Sequence, residues 1–341
     1  MSLRRKLENL IGEKKYQSLR NFRSLRINLP ALIKNYFLDF ILYINHSNIF
    51  FKDNFEKIEA DIILKYHSLE KGFLHEKIKD RFGKNNIVIL NKLLKNKEVI
   101  LNKNLSQISS AYQVMCDYYE LHLDRGIDIS DYFDPEEYLL YKSLKSSNTN
   151  SVKNHLFESY FDKSNDNFKN FSNSRSSVRN FTDEKIPIPI IKDVITLARN
   201  APSVCNRQPV KVYYVDNRSQ IDEVFKIQGG LTGYSQGVKQ LMVVVSDRNY
   251  YYSVGERNQL FIDGGIFLMN LLYSLHFYKI GACPAHWGLN NESDKKIREI
   301  LNIKKSEKVI SLVAIGIPNG KFKTCKSSRR DISEILILNK K

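Results

Sequence analysis

Residues 174–181 bring together two arginines and three serine hydroxyls within eight positions. Arg175 and Arg179 each offer a fork of N–H donors that matches phosphate oxygens, and Ser176 and Ser177 can complete such a shell. Arginine and serine are also common in solvated linkers. The stretch alone therefore leaves both phosphate binding and a linker open.

Residues 201–209 form a second polar stretch, which holds Cys205, Asn206 and Gln208 between two prolines. Side-chain amides both donate and accept hydrogen bonds, as the edge of a flavin or nucleobase ring requires. The alternative is an ordinary turn, because the stretch stands directly between a helical pattern and a strand pattern.

Two further stretches near the C-terminus carry chemistry. Residues 284–287 include His286, whose imidazole can donate a proton near neutral pH, and Trp287, whose indole can stack on an aromatic ligand. Residues 327–332 contain two adjacent arginines. A buried structural pair and a solvated basic tail are the respective alternatives.

Periodicity predicts the elements that hold these residues. Apolar residues at helical spacing, with few glycines, predict an all-helical N-terminal region over 1–145. Residues 146–173 are rich in serine and asparagine, which is typical of a connector. From 174 to 341 helix and strand signals alternate, with strand patterns at 210–215, 241–245 and 309–317 and a long helix at 260–275. The predicted class is α+β with a central sheet.

The sequence also excludes or disfavours several classes of protein. Neither GxGxxG nor GxxxxGK[ST] occurs, which leaves a Rossmann nucleotide fold and a P-loop unsupported. The four cysteines include no CxxC pair and show no paired Cys/His spacing. We therefore expect no metal site and no disulfide scaffold, and a reducing cytoplasm fits this usage best.

The order of the two polar stretches resembles the opening of the nitroreductase family of FMN enzymes. Arg-Ser-Ser-x-Arg-x-Phe is followed by a helix, by Ala-Pro-Ser-x-x-Asn-x-Gln-Pro and by a strand. Residues 262–272 are similar to the family's long central helix, where Gly264 and Gly265 mark a close approach by the other subunit or the flavin. The resemblance covers residues 174–341 and implies a nitroreductase-like central mixed sheet flanked by helices.

The resemblance implies a binding site for the phosphate and ribityl end of FMN. Arg175, Ser177 and Arg329 match the residues that hold this end, and Ser176 and Arg330 stand beside them. Ser327 occupies a position where a lysine often contacts the phosphate, so this chain departs from the family pattern there.

The resemblance also implies contacts with the flavin ring. Arg179 would lie near the pyrimidine edge, where a fixed positive charge favours the reduced ring. Asn206 and Gln208 would bond the ring or its side chain, and Cys205 would face the cofactor edge. Three residues would pass beside the N5 atom: Pro284, Ala285 and His286. His286 and Trp287 replace an acidic residue and a glycine, and the middle loop 228–236 offers no clear counterpart of the family's lysine or asparagine.

The function implied is that of an NAD(P)H-dependent flavin oxidoreductase, a homodimer that passes hydride through FMN to an electron-poor small molecule. His286 is the candidate catalytic acid. Two alternatives remain open. One is a specialised flavin enzyme acting on a cell-envelope polysaccharide precursor, since residues 66–73 resemble N-terminal extensions encoded among bacterial surface-polysaccharide genes. The other is a basic, membrane-peripheral binding module without redox activity.

The net charge of +16 attracts anions of any kind. Lysine, asparagine and isoleucine are abundant along the whole chain, and a compositional habit of the source organism would produce this abundance without any functional meaning. We therefore expect no nucleic-acid partner from the net charge. Residues 1–30 hold eight Lys/Arg against two acids and precede an apolar stretch, 29–51, that Lys34, Asp39 and His46 interrupt. This pattern favours a solvated helix packed on the rest of the protein, with peripheral membrane contact through residues 1–51 as the alternative. We expect a cytoplasmic protein, with contact at the inner membrane face left open.

Overall fold

A computed structural model describes residues 10–46, 48–50, 54–145, 150–231 and 233–339. The chain divides into two compact units, of which the smaller consists of Met1–Asp53 and Tyr251–Asn258. The larger consists of Asn54–Tyr250 and Gln259–Lys341. The boundaries predicted at 145 and 173 therefore stay predictions, because the helices from residue 54 onward belong to the same unit as the sheet.

The smaller unit is built on one long helix, α1 (Glu13–His46), which has no buried residue. A short 3₁₀ turn, Val254–Glu256, packs against it. The Asp39 carboxylate accepts two hydrogen bonds from the Arg257 guanidinium, at 2.7 and 3.0 Å, and this ion pair ties the two segments together.

The larger unit begins with five helices: α2 (Phe55–Gly72), α3 (Lys84–Leu94), α4 (Lys97–Leu101), α5 (Ser106–Asp124) and α6 (Pro135–Leu144). Their buried faces share one apolar core that includes Ile62, Leu69, Ile87 and Met115. Helix α6 starts at a capping box, in which the Asp134 carboxylate accepts from the backbone of Glu137 and the Glu137 carboxylate accepts in return. The all-helical prediction is confirmed for the described residues of 10–145.

The rest of the larger unit surrounds two sheets. Its strands are β1 (Val152–Leu156), β2 (Val210–Val215), β3 (Gln240–Asp247), β4 (Gly281–His286), β5 (Glu307–Gly316) and β6 (Lys321–Cys325). Its helices are α7 (Phe157–Tyr160), α8 (Phe168–Ser174), α9 (Ile188–Ala198), α10 (Arg218–Gln228), α11 (Gln259–Phe277), α12 (Asn291–Leu301) and α13 (Ile332–Ile335).

The central sheet has the order β2-β3-β5-β4, and helices cover both faces. All eight residues of β3 are buried. Leu241, Val243 and Val245 join the core that contains α10 and α12, whereas Met242 and Val244 join the core that contains α9 and α11. This alternation follows from the two-residue period of a strand. The α+β class is confirmed.

One detail of the predicted sheet is wrong. A mixed sheet was expected, but every pair of neighbouring strands described here is antiparallel. β3 and β4 do run in the same direction, yet β5 lies between them and is antiparallel to both. The order of the strands therefore separates the strands that could have paired in parallel.

The predicted connector contains a strand that the sequence did not indicate. β1 pairs with β6 in antiparallel register, with Val152 opposite Cys325. Its residues show no strict apolar alternation because only two of its five positions are half-buried and the rest are exposed. The pairing with β6 nevertheless anchors this segment beside the C-terminal arginines.

The paired glycines of α11 differ from each other in their surroundings within the chain. A Cβ atom on Gly264 would lie 2.6 Å from Cγ1 of Ile310, so β5 of the same chain makes the close approach. A Cβ atom on Gly265 would meet nothing within 4 Å. Both α1 and α11 are long and apolar enough to cross a membrane by length and composition, although α11 lies partly in the core.

Candidate functional site

Residues 175–182 lie along the edge of the central sheet. The Val178 N–H donates to the Ala282 carbonyl at 3.0 Å, and the Thr182 N–H donates to the Ile317 carbonyl at 2.8 Å. A Cβ atom on Gly316 would lie 2.8 Å from the Phe181 ring, so the ring is accommodated only because that residue is glycine. The backbone that carries the two predicted arginines is thus fixed against β4.

Arg175 has a buried nitrogen that lacks a protein partner. Its Nη1 atom is inaccessible to solvent and makes no hydrogen bond to the part of the chain that the structure describes. A buried donor left unpaired costs free energy, more so when it is charged. Such a donor is therefore a site at which an acceptor from a ligand would be stabilised.

His276 lies close to Arg175 and is held neutral. Burial, together with the smaller effect of the Arg175 charge, lowers the pKa of His276 to about 4. Its Nε2 lies 2.7 Å from Oγ of Ser174, and that hydroxyl donates to the Phe171 carbonyl. The imidazole Nε2–H can therefore donate to Ser174. The His276 imidazole is therefore uncharged near neutral pH, and the Arg175 guanidinium is the cation available to bind an anion.

The two serines after Arg175 take different roles. Ser176 is held through its backbone, since its N–H donates to the Tyr160 hydroxyl at 2.9 Å and its carbonyl accepts from that hydroxyl at 3.1 Å. The Ser177 carbonyl accepts from Nη1 of Arg179 at 3.4 Å. Both serines are half-buried, as a ligand-binding hydroxyl requires.

Arg179 lies against two buried thiols. Its Nη1 is 4.0 Å from Sγ of Cys325. Burial raises the pKa of Cys325 to about 11 and also raises that of Cys283, while the positive charges of Arg179 and Lys71 oppose both shifts. Arg175 acts on Cys283 in the same sense. We call Arg175, Arg179, Lys71, Cys283 and Cys325 the arginine cluster.

The end of α2 reaches this cluster. The Tyr234 hydroxyl donates to the Lys71 carbonyl at 2.6 Å, and the Tyr234 ring stacks on His75 with centroids 4.6 Å apart. Asn180 donates to a carboxylate oxygen of Glu76 at 3.2 Å. Residues 71–76 therefore cover the segment that carries Arg179. A cavity of about 220 Å³ remains between them.

Sequence analysis missed this contribution, because residues 66–73 entered it only through their resemblance to N-terminal extensions. Glu70 is 2% exposed and lies one turn after Tyr66, on the buried face of α2. A carboxylate on an apolar helix face was the signal available. Nδ1 of His67 lies 2.9 Å from Oε2 of Glu70, and Sγ of Cys325 completes a group of possible metal ligands within 4.8 Å. The nearby Lys71 and Arg179 cations oppose a metal ion there.

The two C-terminal arginines are not equivalent. Arg330 forms a bidentate ion pair with the buried carboxylate of Glu59, at 2.7 and 2.9 Å, and also bonds Glu334 at 3.1 Å. These carboxylates raise the pKa of Arg330. Arg329 is exposed and its Nη1 donates to the carbonyl of Ser327, a residue with a positive φ of 48°. Arg329 lines a cavity of about 320 Å³.

The second polar stretch adopts a strained turn. Three residues have φ between 49° and 54°: Cys205, Asn206 and Gln208. Left-handed backbone at residues other than glycine costs free energy and concentrates at functional sites. All three are exposed. The contacts that hold the turn are Val204 N to the Asp263 carboxylate at 3.2 Å and Arg207 Nη1 to the Tyr250 carbonyl at 2.7 Å.

The structure thus divides the predicted site residues into two groups. The turn is attached to the first turn of α11, through Asp263, whereas Arg175 and Arg179 are attached to β4 and to α2. Among the described residues, the side chains of Asn206 and Gln208 form hydrogen bonds within the turn and none to the arginine cluster. The resemblance had implied a single cofactor site for both groups.

The end of β4 presents His286 to solvent. The Gly288 N–H donates to Nδ1 of His286 at 3.3 Å, and Gln228 donates to the His286 carbonyl at 3.1 Å. Pro284 is half-buried and Ala285 is buried. Trp287 is also buried, and its indole N–H donates to Asp294 at 2.8 Å. Trp287 is therefore a packing residue, and Gln228 is a residue of the middle loop whose position the sequence did not reveal.

Comparisons with known proteins agree with the sequence resemblance. Residues 173–239 match the model of the nitroreductase family, which confirms the resemblance over that part of the chain. A search of curated proteins finds no match. The N-terminal resemblance to polysaccharide-associated proteins stays a prediction.

Several solved structures are similar to about half of this chain. A candidate NAD(P)H:FMN oxidoreductase from Staphylococcus epidermidis is 20% identical, covers 51% of this chain and 96% of its own, and has a TM-score of 0.46. A candidate nitroreductase from Bacillus subtilis is 17% identical, covers 50% and 98%, and scores 0.45. A candidate nitroreductase from Desulfovibrio desulfuricans, solved in complex with FMN, is 21% identical, covers 49% and 92%, and scores 0.41.

Proposed function

We propose that this protein is an FMN-dependent oxidoreductase that takes hydride from NAD(P)H and passes it to an electron-poor small molecule. The family match over residues 173–239 supports an oxidoreductase of the nitroreductase class. The observation that carries the cofactor assignment is the buried, unpartnered Nη1 of Arg175.

The residues around Arg175 fit the phosphate of FMN. A guanidinium binds phosphate oxygens through parallel N–H donors, and such charge-assisted bonds are the stronger kind. Ser176 and Ser177 follow directly, and His276 beside them carries no positive charge near neutral pH because its pKa is about 4. Arg175 therefore supplies the buried charge, and the serines supply neutral donors.

When bound, FMN would supply the hydride chemistry, since the flavin carries the redox reaction and the protein supplies orientation and electrostatics. Arg179 and Lys71 place positive charge beside the buried thiols of the arginine cluster. A fixed cation favours negative charge on a neighbouring ring. The thiols stay protonated near neutral pH, because burial raises the pKa of Cys325 to about 11.

His286 is the residue that we assign to proton donation. It is exposed at the end of β4, and its Nδ1 accepts a hydrogen bond from the Gly288 N–H. In the neutral ring this contact places the proton on Nε2, which can donate a hydrogen bond. Proton donation would start from the imidazolium, in which Nδ1 is also protonated and the Gly288 contact is lost, and would return the ring to the neutral form. The packing of Trp287 on Asp294 fixes the backbone next to it.

We further propose that the enzyme is a homodimer whose cofactor site uses both copies. Helix α11 leaves Phe261, Ile262 and Ile266 at least 40% exposed, an apolar face that a second copy would cover. The strained turn at Cys205–Gln208 is held at the first turn of that helix. Dimerisation through α11 would bring the turn of one copy toward the arginine cluster of the other.

The test of the cofactor proposal is an FMN titration of the purified protein, read by flavin fluorescence quenching. Wild-type protein should bind FMN in a 1:1 ratio with the chain. Arg175→Ala should weaken binding roughly 10- to 100-fold, because hydrogen bonds to charged groups contribute about 1.5–3 kcal/mol. Arg199→Ala removes an exposed arginine at the end of α9 and should leave affinity unchanged. A wild type that binds no FMN overturns the proposal.

A further inference from the structure

Helix α1 displays an apolar stripe that the described residues of the smaller unit leave exposed. Six large apolar residues at successive spacings of three, four or seven lie between 42% and 65% exposed: Leu19, Phe22, Leu29, Ile33, Phe37 and Phe40. At 100° per residue they fall within one sector of about 80°, which lies about 80° to 160° away from Asp39. Leu25, Ile27, Leu38 and Leu42 are exposed outside this sector. A stripe of this length on a folded chain indicates a binding surface.

Charge along α1 is distributed unevenly. The helix has an excess of four positive charges, and its first half contains the cations Lys14, Lys15, Arg20, Arg23 and Arg26. Its acids are Glu13 and Asp39. Asp39 is neutralised by Arg257, whose Nε lies 2.7 Å away. The cations of α1 are therefore concentrated at its N-terminal half, and the one carboxylate near the C-terminal part of the stripe is paired with an arginine.

We propose that α1 docks on a membrane surface that contains anionic lipids, lying in the plane of the headgroups with its apolar stripe in the acyl region. Amphipathic helices with cations and bulky apolar residues bind in this way. Anionic headgroups match the positive excess, and the attraction falls off within a Debye length. This inference does not depend on the flavin site.

Two other arrangements fit the observations less well. In a membrane-spanning helix, Asp39 would carry Arg257 and its polar neighbours Glu256 and Asn258 into the hydrocarbon, where polar backbone outside helices is unfavourable. In a parallel pair of α1 helices from two copies, the cations of each helix would lie beside the cations of the other. Parallel pairing would therefore oppose like charges that a lipid surface neutralises.

The test uses the full-length protein and vesicle flotation. Wild type should float with phosphatidylcholine vesicles that contain about a quarter phosphatidylglycerol. It should not float with phosphatidylcholine alone, and 0.5 M salt should weaken binding at least tenfold, as expected for screened charges. Ile33→Glu with Phe37→Glu should lower the partition coefficient at least tenfold, because two charges enter the stripe.

The matched control is Leu38→Glu with Leu42→Glu, which adds the same charges at exposed positions off the stripe; the added negative charge weakens electrostatic attraction equally in both double variants, so the stripe variant should bind about tenfold more weakly than this control. Thermal unfolding of each variant checks that the chain is folded. Wild type that stays with the soluble fraction, or stripe variants that float as well as wild type, overturn the proposal. The proposal is also overturned if the protein forms a dimer that depends on the stripe and does not bind vesicles. It is likewise overturned if alkaline carbonate fails to extract the wild-type protein from membranes, as expected of a spanning helix.

Discussion

The arginine cluster and the turn at Cys205–Gln208 carry the two halves of one sequence resemblance, yet the fold treats them differently. The cluster is half-buried, is fixed to β4 by backbone hydrogen bonds, and is covered by the end of α2. The turn is exposed, has left-handed backbone at three residues other than glycine, and is attached to α11. One region is fixed and covered within the chain, and the other is an exposed turn with strained backbone.

The first prediction concerns stability at low pH. His276, which lies beside Arg175, should make the protein less stable as the pH falls, whereas the turn should make no such contribution. The folded-state pKa of His276 is about 4, below its ordinary value of 6.5. The unfolded chain therefore takes up a proton that the folded chain excludes, so stability is full above pH 6.5 and falls as the pH drops toward 4. The loss from this group is on the order of 3 kcal/mol.

Urea unfolding between pH 7 and pH 4.5 measures this loss. His276→Phe should flatten the dependence on pH, whereas His46→Gln, an exposed histidine of α1, should keep the wild-type slope. An unchanged slope in His276→Phe would show that another group is responsible for the loss.

The second prediction separates the two regions by thiol reactivity. Cys205 is exposed in the turn, whereas Cys116, Cys283 and Cys325 are buried. Burial raises the pKa of Cys116 to about 12 and that of Cys325 to about 11. A disulfide reagent should thus label one thiol at least about 100-fold faster than the others, because the thiolate is the nucleophile. Cys205→Ser should abolish the fast phase, and a second fast thiol would contradict the burial described.

The third prediction separates the two C-terminal arginines. Arg330→Ala should destabilise the protein by about 1 to 3 kcal/mol, because it leaves the buried carboxylate of Glu59 unpaired, although the partial exposure of Arg330 reduces the cost. Arg329→Ala should leave stability unchanged and weaken FMN binding about tenfold. Paired thermal unfolding and FMN titration measure both effects. If instead Arg330→Ala weakened FMN binding and Arg329→Ala lowered stability, the phosphate would lie beside Arg330.

Local patterns were enough to predict much of the fold. The periodicity at 241–245 predicted a buried strand, and β3 is buried on both faces because helices cover it. The strand β1 was not predictable, because its pairing with β6 joins residues about 170 positions apart and leaves it largely exposed. The antiparallel sheet follows from strand order, which no local pattern encodes.

The candidate site was predictable only in part. Arg175 and Arg179 stood in a recognisable motif, but the role of α2 depended on tertiary contacts such as Tyr234 with Lys71. Glu70 was given no role by the sequence and is buried. Arg330 was expected beside the phosphate or in a solvated tail, and it is paired with the buried carboxylate of Glu59. Tertiary contacts determine whether these charged side chains are buried or paired, so the residues next to them in the sequence do not indicate it.

The central claim is that the cluster of one copy and the turn of another form one site. Complementation tests it directly. Arg175→Ala subunits are mixed with subunits carrying Asn206→Gly and Gln208→Gly, which remove side chains at positive φ without strain. Each parent should bind FMN weakly. After unfolding and refolding together, about one quarter of the wild-type sites should return, because half of the dimers are mixed and each holds one intact site. If the mixture binds no more FMN than its parents, the two regions do not share a site across subunits.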